Sequence, residues 1–360
     1  MAATFSDSPL SPRKTATMQD IARVVGVTPM TVSYALSGKR KISDETREAI
    51  LQAARDLNFE PNVVAQRLRK GRCEKTIGFF SLDVDLSSRT RQLQIIQAHL
   101  SDRGYSVPVY AYGYRGRDVL ENQLELINTL IAQRPRAIVC NTSGVHPQIF
   151  KRLGHFIDEG GIAVCYGYSS FAPVECDQVI YAEGETFYTA TRHLLELGHH
   201  ELGFFSVGYR KPGGDMMSEA QRALNEFGVP LQEKWLFQND GTRTYEEHGA
   251  LLGEEFLALT THPTAMVMAN DYAAVAFMAT LWQNGVRVPD EVSVVGHNDD
   301  SIAPFGVVPL TTMSNPIAEI ADHVVEMLQS RLVQDFAGAP RRQIVRGNLI
   351  PRRSTAPFRG

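Results

Sequence analysis

The sequence predicts a small all-α unit at the N-terminus, followed by a large α/β body. Three short helical patterns, each with capping residues, occupy the first 60 residues. Beyond residue 75, apolar strand-like runs alternate with amphipathic helical stretches. The chain has 360 residues, which is enough for two or three domains and a large core.

The charge of the chain is unevenly distributed. The net charge is −4, yet residues 1–72 contain 12 Lys and Arg against 7 Asp and Glu. A basic start on an acidic body indicates an anionic partner for the start alone.

The first helical pattern begins at Thr17. This residue is a good N-cap, and an acidic residue three positions later favours the helix N-terminus. Ile21, Val24 and Val25 would form the apolar stripe of the helix, and Gly26 permits a sharp turn after it.

Two further helix starts follow. Thr28 can cap a second helix, Pro29 fits its first position, and Ser43 can cap a third helix. Two short helices around a tight turn, backed by a third, predict a helix-turn-helix unit, with a generic three-helix bundle as the alternative. The face that a DNA major groove would meet consists of Pro29, Met30, Ser33, Tyr34 and Ser37.

A short apolar and basic segment comes next. In "EPNVVAQRLRKGR", Pro61 stops the third helix and Asn62 can cap a fourth. A helix of this length needs a partner on which to fold. The alternative is an ordinary charged linker.

The body alternates between strand and helix patterns. The strand-like runs are "TIGFFSL", "YSVPVYAY", "RAIVCN", "GIAVCYGY", "ELGFFSV", "KWLFQ", "TAMVMAN" and "VSVVG". Helical stretches include 119–134, 184–197, 245–259, 271–284 and 316–334. This alternation predicts parallel sheets with helices on both faces, and eight strands exceed one comfortable sheet.

Ligands of such folds bind at the carboxyl ends of the strands. That rule selects Ser87–Arg89, Asn141, Thr142, Tyr166–Tyr168, Tyr209, Arg210, Asn270, Asp271 and His297–Asp299. The alternative for each of these residues is loop polarity or helix capping.

These features together resemble the lactose-repressor (LacI/GalR) family of bacterial transcription regulators. The resemblance is carried by "MQDIARVVGVTPMTVSYALSGKRKISDETREAI", "PNVVAQRLRKG", "RHLLELGH", "AND", "VPDEVSVVGHND" and "PLTTM", from Thr17 to the end of the chain. It implies a helix-turn-helix headpiece with a hinge helix, and a periplasmic-binding-protein-like core of two Rossmann-like subdomains. It also implies a repressor that binds a pseudo-palindromic double-stranded DNA operator as a homodimer, with a carbohydrate-like small effector between the lobes.

The resemblance also suggests domain boundaries. Residues 17–60 would be the DNA-binding domain, 61–74 the hinge and linker, and 75–360 the effector-binding and dimerisation core. The Ser- and Pro-rich composition of residues 1–16 independently predicts a disordered arm. Lobe 1 would contain about 76–181 and 315–340, and lobe 2 about 182–314 and 341–360. The chain would cross between the lobes near Tyr181, Ser314 and Pro340.

For DNA contact, the resemblance assigns base readers, phosphate contacts and a hinge. Leu68 would enter the minor groove at the operator centre, with Ala65 packed beside it. The full set is Thr17, Met18, Thr28, Pro29, Met30, Thr31, Ser33, Tyr34, Ser37, Lys39, Lys41, Asn62, Ala65, Gln66, Leu68 and Arg69.

For effector contact, the resemblance and the strand-end rule assign a second set. It consists of Ser87, Arg89, Asn141, Tyr166, Tyr181, Met216, Asn270, Asn298 and Ile317. Three positions depart from the family pattern, with Met216 in place of an arginine and Gly167 and Asn298 in place of aspartates. Because charge-assisted hydrogen bonds are the strong ones, a less polar or amide-bonded ligand, or no ligand, stays open.

No catalytic or metal-binding pattern is visible in the sequence. There is no G-x-G-x-x-G, Walker A or G-x-S-x-G motif. The histidines of "RHLLELGHH" have no ligand partner at metal spacing, and the four cysteines predict reduced thiols. We therefore expect a non-enzyme with no cofactor and no metal.

A cytoplasmic, nucleoid-associated bacterial regulator is the function that these observations favour. The alternative is a solute-binding protein or a sugar-processing enzyme with the same core fold, which would need an export signal or a catalytic constellation. No apolar run suits a signal peptide or a membrane span, and "RRSTAPFRG" shows no heptad tail for tetramerisation.

Overall fold

A computed structural model describes residues 17–37, 42–57, 59, 73–82, 87–112, 118–168, 170–207, 215–239, 243–334 and 336–359. The chain divides into two units, Met1–Gly71 and Arg72–Gly360. The expected arm at 1–16 and most of the expected hinge at 61–74 lie outside the described residues.

The first unit contains three helices, α1 (Met18–Val25), α2 (Pro29–Ser37) and α3 (Asp44–Asp56). A capping box begins α1, in which the Asp20 N–H donates to Thr17 Oγ1 and the Thr17 N–H donates to Asp20 Oδ2. The helix ends at Gly26, whose φ of 74° is left-handed and suits glycine. The predicted helix-turn-helix arrangement is confirmed.

The core of the headpiece lies among these three helices. Ile21, Val32 and Ile50 are fully buried, together with three alanines. Val24 is 65% exposed, so its predicted place in the inward stripe is wrong. Because Ala22 is also buried, the inward face is centred near Ile21, Ala22 and Val25, which turns Val24 towards solvent.

The second unit contains two six-stranded sheets. The chain first forms β1 (Cys73–Leu82), α4 (Ser87–Ser101), β2 (Val109–Tyr112), α5 (Val119–Ala132), β3 (Pro135–Asn141), α6 (Pro147–Asp158), β4 (Ile162–Tyr168) and β5 (Asp177–Tyr181). These strands and the late β11 (Arg342–Val345) form the first sheet, in the order β11-β5-β4-β3-β1-β2. All its pairs are parallel.

The second sheet follows in the chain. Its elements are α7 (Glu183–Glu196), β6 (Leu202–Val207), α8 (Asp215–Glu226), β7 (Leu236–Asn239), α9 (Tyr245–Ala258), β8 (Ala265–Met268), α10 (Asp271–Gln283), β9 (Ser293–Asn298) and β10 (Thr311–Ser314). After α11 (Ile317–Leu332) and β11, β12 (Leu349–Ile350) completes the order β12-β10-β9-β8-β6-β7. Only β12 pairs antiparallel among the described strands of this sheet.

Apolar clusters cover both faces of each sheet. Residues of α4 and α11 pack on one face of the first sheet, and those of α5 and α6 pack on the other. The second sheet lies between α7 with α8 and α9 with α10. The predicted α/β core of two sheets is confirmed, and the eight predicted strands are present. The strands β5, β10, β11 and β12 were not predicted.

The chain passes between the sheets after Tyr181, after Ser314, and between Val345 and Leu349. The first two crossings lie where they were expected. The third lies beyond Pro340, because β11 pairs with β5 and residues 342–345 thus belong to the first sheet.

A buried cluster of charged side chains fixes the segment that leads from α11 back to β11 in the first sheet. The fully buried Asp177 carboxylate accepts hydrogen bonds from Arg331 Nη2 at 2.8 Å and Arg341 Nη2 at 2.7 Å. Burial raises the pKa of Asp177, but the hydrogen bonds from the two arginines outweigh it and hold that pKa below its usual value. The start of β5 is thereby tied to the end of α11 and to the segment before β11.

No helix in the described part of the chain is long and apolar enough to cross a membrane. The cysteines there are free thiols, and Cys140, Cys165 and Cys176 are buried.

Candidate functional site

The exposed N-terminal turn of α2 is the first candidate site. The hydroxyl of Thr28 accepts from the Thr31 N–H at 3.2 Å and lies 2.9 Å from Thr31 Oγ1, so it caps the helix. Thr28, Pro29 and Met30 are exposed, and Met30 is 65% exposed. Thr31 and Tyr34 are half-buried. This turn therefore presents its side chains outward, as a helix entering a DNA major groove must.

The other headpiece residues assigned to DNA contact are placed differently. Thr17 is exposed, but its hydroxyl is engaged with Asp20 at 2.6 Å. Met18 packs against the headpiece core. The side chains of Ser33 and Ser37, and the residues Lys39, Lys41, Asn62, Ala65, Gln66, Leu68 and Arg69, lie outside the described residues.

The second candidate site lies where the carboxyl ends of the two sheets meet. On the side of the first sheet, Asn141 and Tyr166 end or nearly end their strands and are both buried. Asn141 Oδ1 accepts from the Ser143 N–H at 2.9 Å. Burial raises the pKa of the Tyr166 phenol, against hydrogen bonds with Asn141 and Ser81. Both side chains thus stabilise the strand ends, and Tyr166 stays a neutral phenol.

Tyr181 joins the two sheets. Its hydroxyl donates to the carbonyl oxygen of Ser314 at 2.9 Å, which links the end of β5 to the end of β10. The Tyr168 ring lies edge-on to it, with centroids 5.7 Å apart. The hydroxyl is buried, and burial raises the pKa of Tyr181, so the phenol stays a donor. This contact lies at the two crossings about which the lobes could move.

His297, at the end of β9, packs against Tyr181 and against α7. Its Nε2 lies 2.7 Å from Thr186 Oγ1, and the Thr186 hydroxyl donates to the carbonyl oxygen of Glu183. Because a hydroxyl has one proton, Nε2 must carry the hydrogen and donate to Thr186. Burial lowers the pKa of His297, which fits a neutral ring with a fixed tautomer.

Asn298 and Asp299, directly after His297, have unusual backbone angles. Their φ values are 105° and 51°, a region that residues other than glycine seldom adopt. Asp299 is held by Arg352 Nη2 at 2.6 Å. Strained backbone of this kind clusters at ligand sites, where surrounding contacts hold it in place. The half-buried Asn298 thus has a geometry typical of a binding residue.

Asn270 and Asp271 lie at the start of α10. Asn270 Oδ1 accepts from the N–H groups of Tyr272 at 2.9 Å and Ala273 at 3.2 Å, so its oxygen caps the helix. The next residue, Asp271, is fully buried and accepts from the Thr312 hydroxyl at 2.6 Å. Burial raises the pKa of Asp271 to about 8, against the hydrogen bonds that it accepts. Both side chains are tied to the fold of the second sheet.

The remaining residues assigned to the effector do not form one group. Met216 lies in the apolar cluster between the second sheet and α7 with α8. Ile317 is half-buried at the start of α11. The side chains of Ser87 and Arg89 lie outside the described residues. Of the residues assigned to the effector, Tyr181 and Asn298 lie beside the crossings between the two sheets.

Sequence reasoning missed Asn315, Thr186 and Arg352. Asn315 follows β10 directly and contacts both Tyr168 and Asn298. Had β10 been recognised as a strand, the rule for strand ends would have selected Asn315. Among the described residues, no group of three or more His, Cys, Asp or Glu side chains could hold a metal ion.

Comparison with known proteins agrees with both parts of the molecule. Residues 17–62 match the model for bacterial regulatory proteins of the lacI family, and residues 191–355 match the periplasmic binding protein-like domain. The HTH-type transcriptional repressor PurR of Vibrio parahaemolyticus serotype O3:K6 (strain RIMD 2210633) is 27% identical over 319 residues. The aligned region covers 88% of this chain and 92% of that protein.

Solved structures show the same fold. The lac repressor dimer bound to operator and the anti-inducer ONPF matches with a TM-score of 0.72 and 23% identity, covering 95% of this chain and 100% of that one. The transcriptional regulator CelR in complex with cellobiose matches with a TM-score of 0.65 and 23% identity, covering 94% and 99%. The chain therefore combines a DNA-binding headpiece of the lacI-family type with a periplasmic-binding-protein-like body, and the relatives named above, which it matches over most of its length, are transcriptional repressors.

Proposed function

We propose that this chain is a repressor that binds a pseudo-palindromic operator as a homodimer. A small effector between the lobes sets its affinity for that operator. The observation that carries the proposal is the exposed first turn of α2 on a packed three-helix core. The relatives named above are repressors, and one of the similar structures is a dimer on its operator.

Base reading falls to Pro29, Met30 and Tyr34. The nine residues of α2, "PMTVSYALS", include no Arg or Lys, so the helix lacks the side chains that bind guanine bidentately. Met30 is exposed and apolar, which suits contact with a thymine methyl group. We expect readout weighted towards thymine methyls and the Tyr34 hydroxyl.

The test begins with an operator selected from a randomised DNA pool by the full-length protein. Fluorescence anisotropy then measures the affinity of Met30→Ala for this operator and for a scrambled duplex. We expect a loss of about 1–3 kcal/mol on the operator and little on scrambled DNA. Val24→Ala is the matched control, because Val24 is as exposed as Met30 but lies on α1. Equal losses on both duplexes would contradict base reading by α2.

Phosphate contacts come from the basic residues around the headpiece. Lys39 and Lys41, with Arg69 in the hinge, would neutralise DNA phosphates, and each replacement should lower the salt dependence of log K by about one unit. The double variant Lys39→Ala/Lys41→Ala, titrated at several salt concentrations, measures this. An unchanged salt slope would show that these side chains face solvent in the complex.

Dimerisation needs a face on the body. Trp282 is 63% exposed and lies two turns after Val275 on α10, and a Cβ placed on Gly306 would lie 3.4 Å from Val275 Cγ2. The neighbouring Phe305 is 81% exposed. Large apolar side chains that a monomer leaves exposed are candidates for a protein interface, and a dimer with two headpieces matches an operator with two half-sites.

Phe305→Asp tests this face. Burying a carboxylate in an apolar interface is costly, so we expect the mass measured by analytical ultracentrifugation to shift from dimer to monomer. Phe227→Asp is the control, since Phe227 is also exposed but follows α8 rather than α10. A dimer that survives Phe305→Asp would place the interface elsewhere.

The hinge and the effector complete the mechanism. Within the hinge and linker at 61–74, residues 62–69 would become helical on the operator, with Leu68 as a wedge in the minor groove and Asn62, Ala65 and Gln66 around it. An effector that favours one arrangement of the lobes would move the two hinges of the dimer. Leu68→Ser should abolish tight operator binding and leave dimerisation intact. Normal operator affinity of this variant would refute the hinge mechanism.

The site of action follows from the target. A repressor of this kind works in the bacterial cytoplasm, associated with the nucleoid. A fluorescent fusion should co-localise with a DNA stain, and a signal spread evenly away from the DNA would count against nucleoid association.

A further inference from the structure

Three cysteines lie together on one face of the first sheet. Cys140 and Cys165 are direct neighbours in the register of β3 and β4, and Cys176 immediately precedes β5. Cys176 Sγ lies 3.5 Å from Cys165 Sγ. All three side chains belong to the apolar cluster that packs against α5 and α6. The fold thus places two thiols in contact that are 11 residues apart in the chain.

The crossover between β4 and β5 carries Cys176 to this position. Since the two strands are parallel, the chain must return from the carboxyl end of β4 to the amino end of β5. Gln178 fixes the crossover, because its Oε1 accepts from the Ala172 N–H at 2.8 Å and its Nε2 donates to the Val174 carbonyl oxygen at 2.9 Å. Ala172 and Val174 are buried in the same apolar cluster. The backbone of the crossover therefore holds Cys176 beside Cys165.

The distances decide which cysteines can form a disulfide. An S–S bond is about 2.05 Å long, so the sulfurs of Cys165 and Cys176 need to approach by about 1.5 Å, which small rotations about the two Cα–Cβ bonds can supply. Cys73 is too far away. It lies beside Pro135 at the start of β3, five residues or about 16 Å before Cys140.

Burial determines which thiol reacts first and which oxidant can reach it. Cys140 and Cys165 are 0% exposed, whereas Cys176 is 6% exposed. Hydrogen bonds with Cys140 and Cys176, together with burial, raise the pKa of Cys165 well above its usual value, so Cys165 is a poor first nucleophile. Cys176 is therefore the point of entry. A small peroxide fits so narrow an opening, whereas the disulfide of a tripeptide such as glutathione does not.

We propose that Cys165 and Cys176 are a redox modification site, at which a small peroxide forms an intramolecular disulfide. The Cys176 sulfur attacks one oxygen of hydrogen peroxide and the O–O bond breaks. The hydroxide that leaves takes up the Cys176 thiol proton as water, and Cys176 becomes a sulfenic acid. The Cys165 sulfur then attacks the Cys176 sulfur, the S–O bond breaks, and the released hydroxide takes up the Cys165 proton as a second water. Two thiols are oxidised to one disulfide while one peroxide is reduced to two waters.

The disulfide would tie the crossover covalently to β4. A cross-link restricts the unfolded chain, so the oxidised protein should be the more stable form. Closing a loop of about 12 residues should raise the melting temperature of the body by about 2–5 °C. Neither chemical step involves the headpiece, so the inference stands whether or not the chain binds an operator.

The test uses the full-length protein and its own trypsin sites. Cleavage after Arg152 and Arg192 places both cysteines on the peptide 153–192, which contains no methionine for peroxide to oxidise. The folded protein is treated with hydrogen peroxide, free thiols are blocked with N-ethylmaleimide in denaturant, and the peptides are weighed without reduction. We expect peptide 153–192 to lose about 2 Da and to bind no maleimide, while peptide 137–151 with Cys140 is fully labelled. Glutathione disulfide in place of peroxide should leave both peptides reduced.

Three alanine variants separate the roles of the thiols. Cys165→Ala should leave a sulfenic acid at Cys176, which dimedone traps, because the second thiol is missing. Cys176→Ala should keep Cys165 reduced, because the point of entry is gone. Cys140→Ala is the matched control, since Cys140 is buried in the same cluster, and it should still form the disulfide.

The wild-type peptide decides the main point without any variant. A peptide 153–192 that keeps two free thiols after peroxide treatment, or gains oxygen without a cross-link, overturns the proposal. A disulfide that joins Cys140 to Cys165 overturns the assigned pair. Equal oxidation by glutathione disulfide overturns the restriction to small peroxides. A melting temperature that does not rise on oxidation would show that the cross-link does not stabilise the body.

Discussion

Val32 and Val24 provide a matched pair of positions in the headpiece. Both are valines in short helices of the same unit, but Val32 is fully buried among α1, α2 and α3, and Val24 is 65% exposed. Replacement by alanine removes the same atoms at both positions. Any difference in the free energy of unfolding of the headpiece then reports burial alone.

The expected magnitudes follow from that burial. Val32→Ala removes two buried carbon atoms, worth about 1.6 kcal/mol at about 0.8 kcal/mol per buried CH₂. The cavity left behind brings the total to about 2.5 kcal/mol. Val24→Ala removes the same atoms from a side chain that is about one-third buried, so its cost is about 0.5 kcal/mol.

Hydrogen exchange of full-length protein, read by mass spectrometry on peptides from residues 17–57, measures both variants. A loss of about 2.5 kcal/mol should speed exchange of the headpiece core amides by about 70-fold, against about twofold for Val24→Ala. A core of this size supplies about 3–5 kcal/mol, so most Val32→Ala headpieces stay folded and operator affinity falls only modestly. Equal acceleration by the two variants would refute the assignment of the inward face.

Three further predictions concern the body. Gly249→Ala should lower the free energy of unfolding of the body by more than about 1 kcal/mol in urea melts, because a Cβ there would lie 2.2 Å from the carbonyl oxygen of Ala273. Gly154→Ala is the control, because a Cβ there would meet nothing within 4 Å, and it should raise the free energy of unfolding by about 0.5–1 kcal/mol. Equal effects would contradict the close contact of α9 and α10. Asp177→Asn should cost about 3 kcal/mol at neutral pH, and since the pKa of Asp177 is lowered in the fold, the difference from wild type should vanish as the pH falls through that pKa. The pKa of Asp271 is raised to about 8, so its protonated form favours folding. The stability of the wild type should therefore fall as the pH rises from about 4 to about 8, by at most about 1.4 kcal/mol per pH unit. Urea melts of Asp271→Asn should lack this slope, and a slope that persists in this variant would come from another group.

The headpiece could be predicted from sequence because its signals are local. Thr17 bonds a residue three positions later, and Gly26 supplies a left-handed angle by its own lack of a side chain. Val24 was misplaced because the inward face of a two-turn helix depends on which neighbours pack against it. The periodicity of eight residues is too short to decide between adjacent faces.

In the body, the sequence determined the long apolar strands and the helices between them, because the spacing of apolar residues within each segment indicates both its type and its buried face. It could not reveal β5, β10, β11 and β12, because strands of two to five residues exist only by pairing with neighbours distant in the chain. The third crossing between the sheets lies beyond the expected Pro340 because β11 pairs with the distant strand β5. This pairing is supported by the contacts of Asp177 with Arg331 and Arg341.

The polar residues at the strand ends also separate what the sequence predicts from what the tertiary structure decides. The sequence predicted that these residues lie at strand ends, but only the tertiary structure decided which groups each side chain contacts. Asn270 Oδ1 caps a helix, and Met216 packs in an apolar core. The buried Oδ1 of Asn315, between the two sheets, has no hydrogen-bond partner among the residues that the structure describes. A side chain's chemistry is local, whereas its hydrogen-bond partners come from segments far apart in the chain, and the fold alone brings those together.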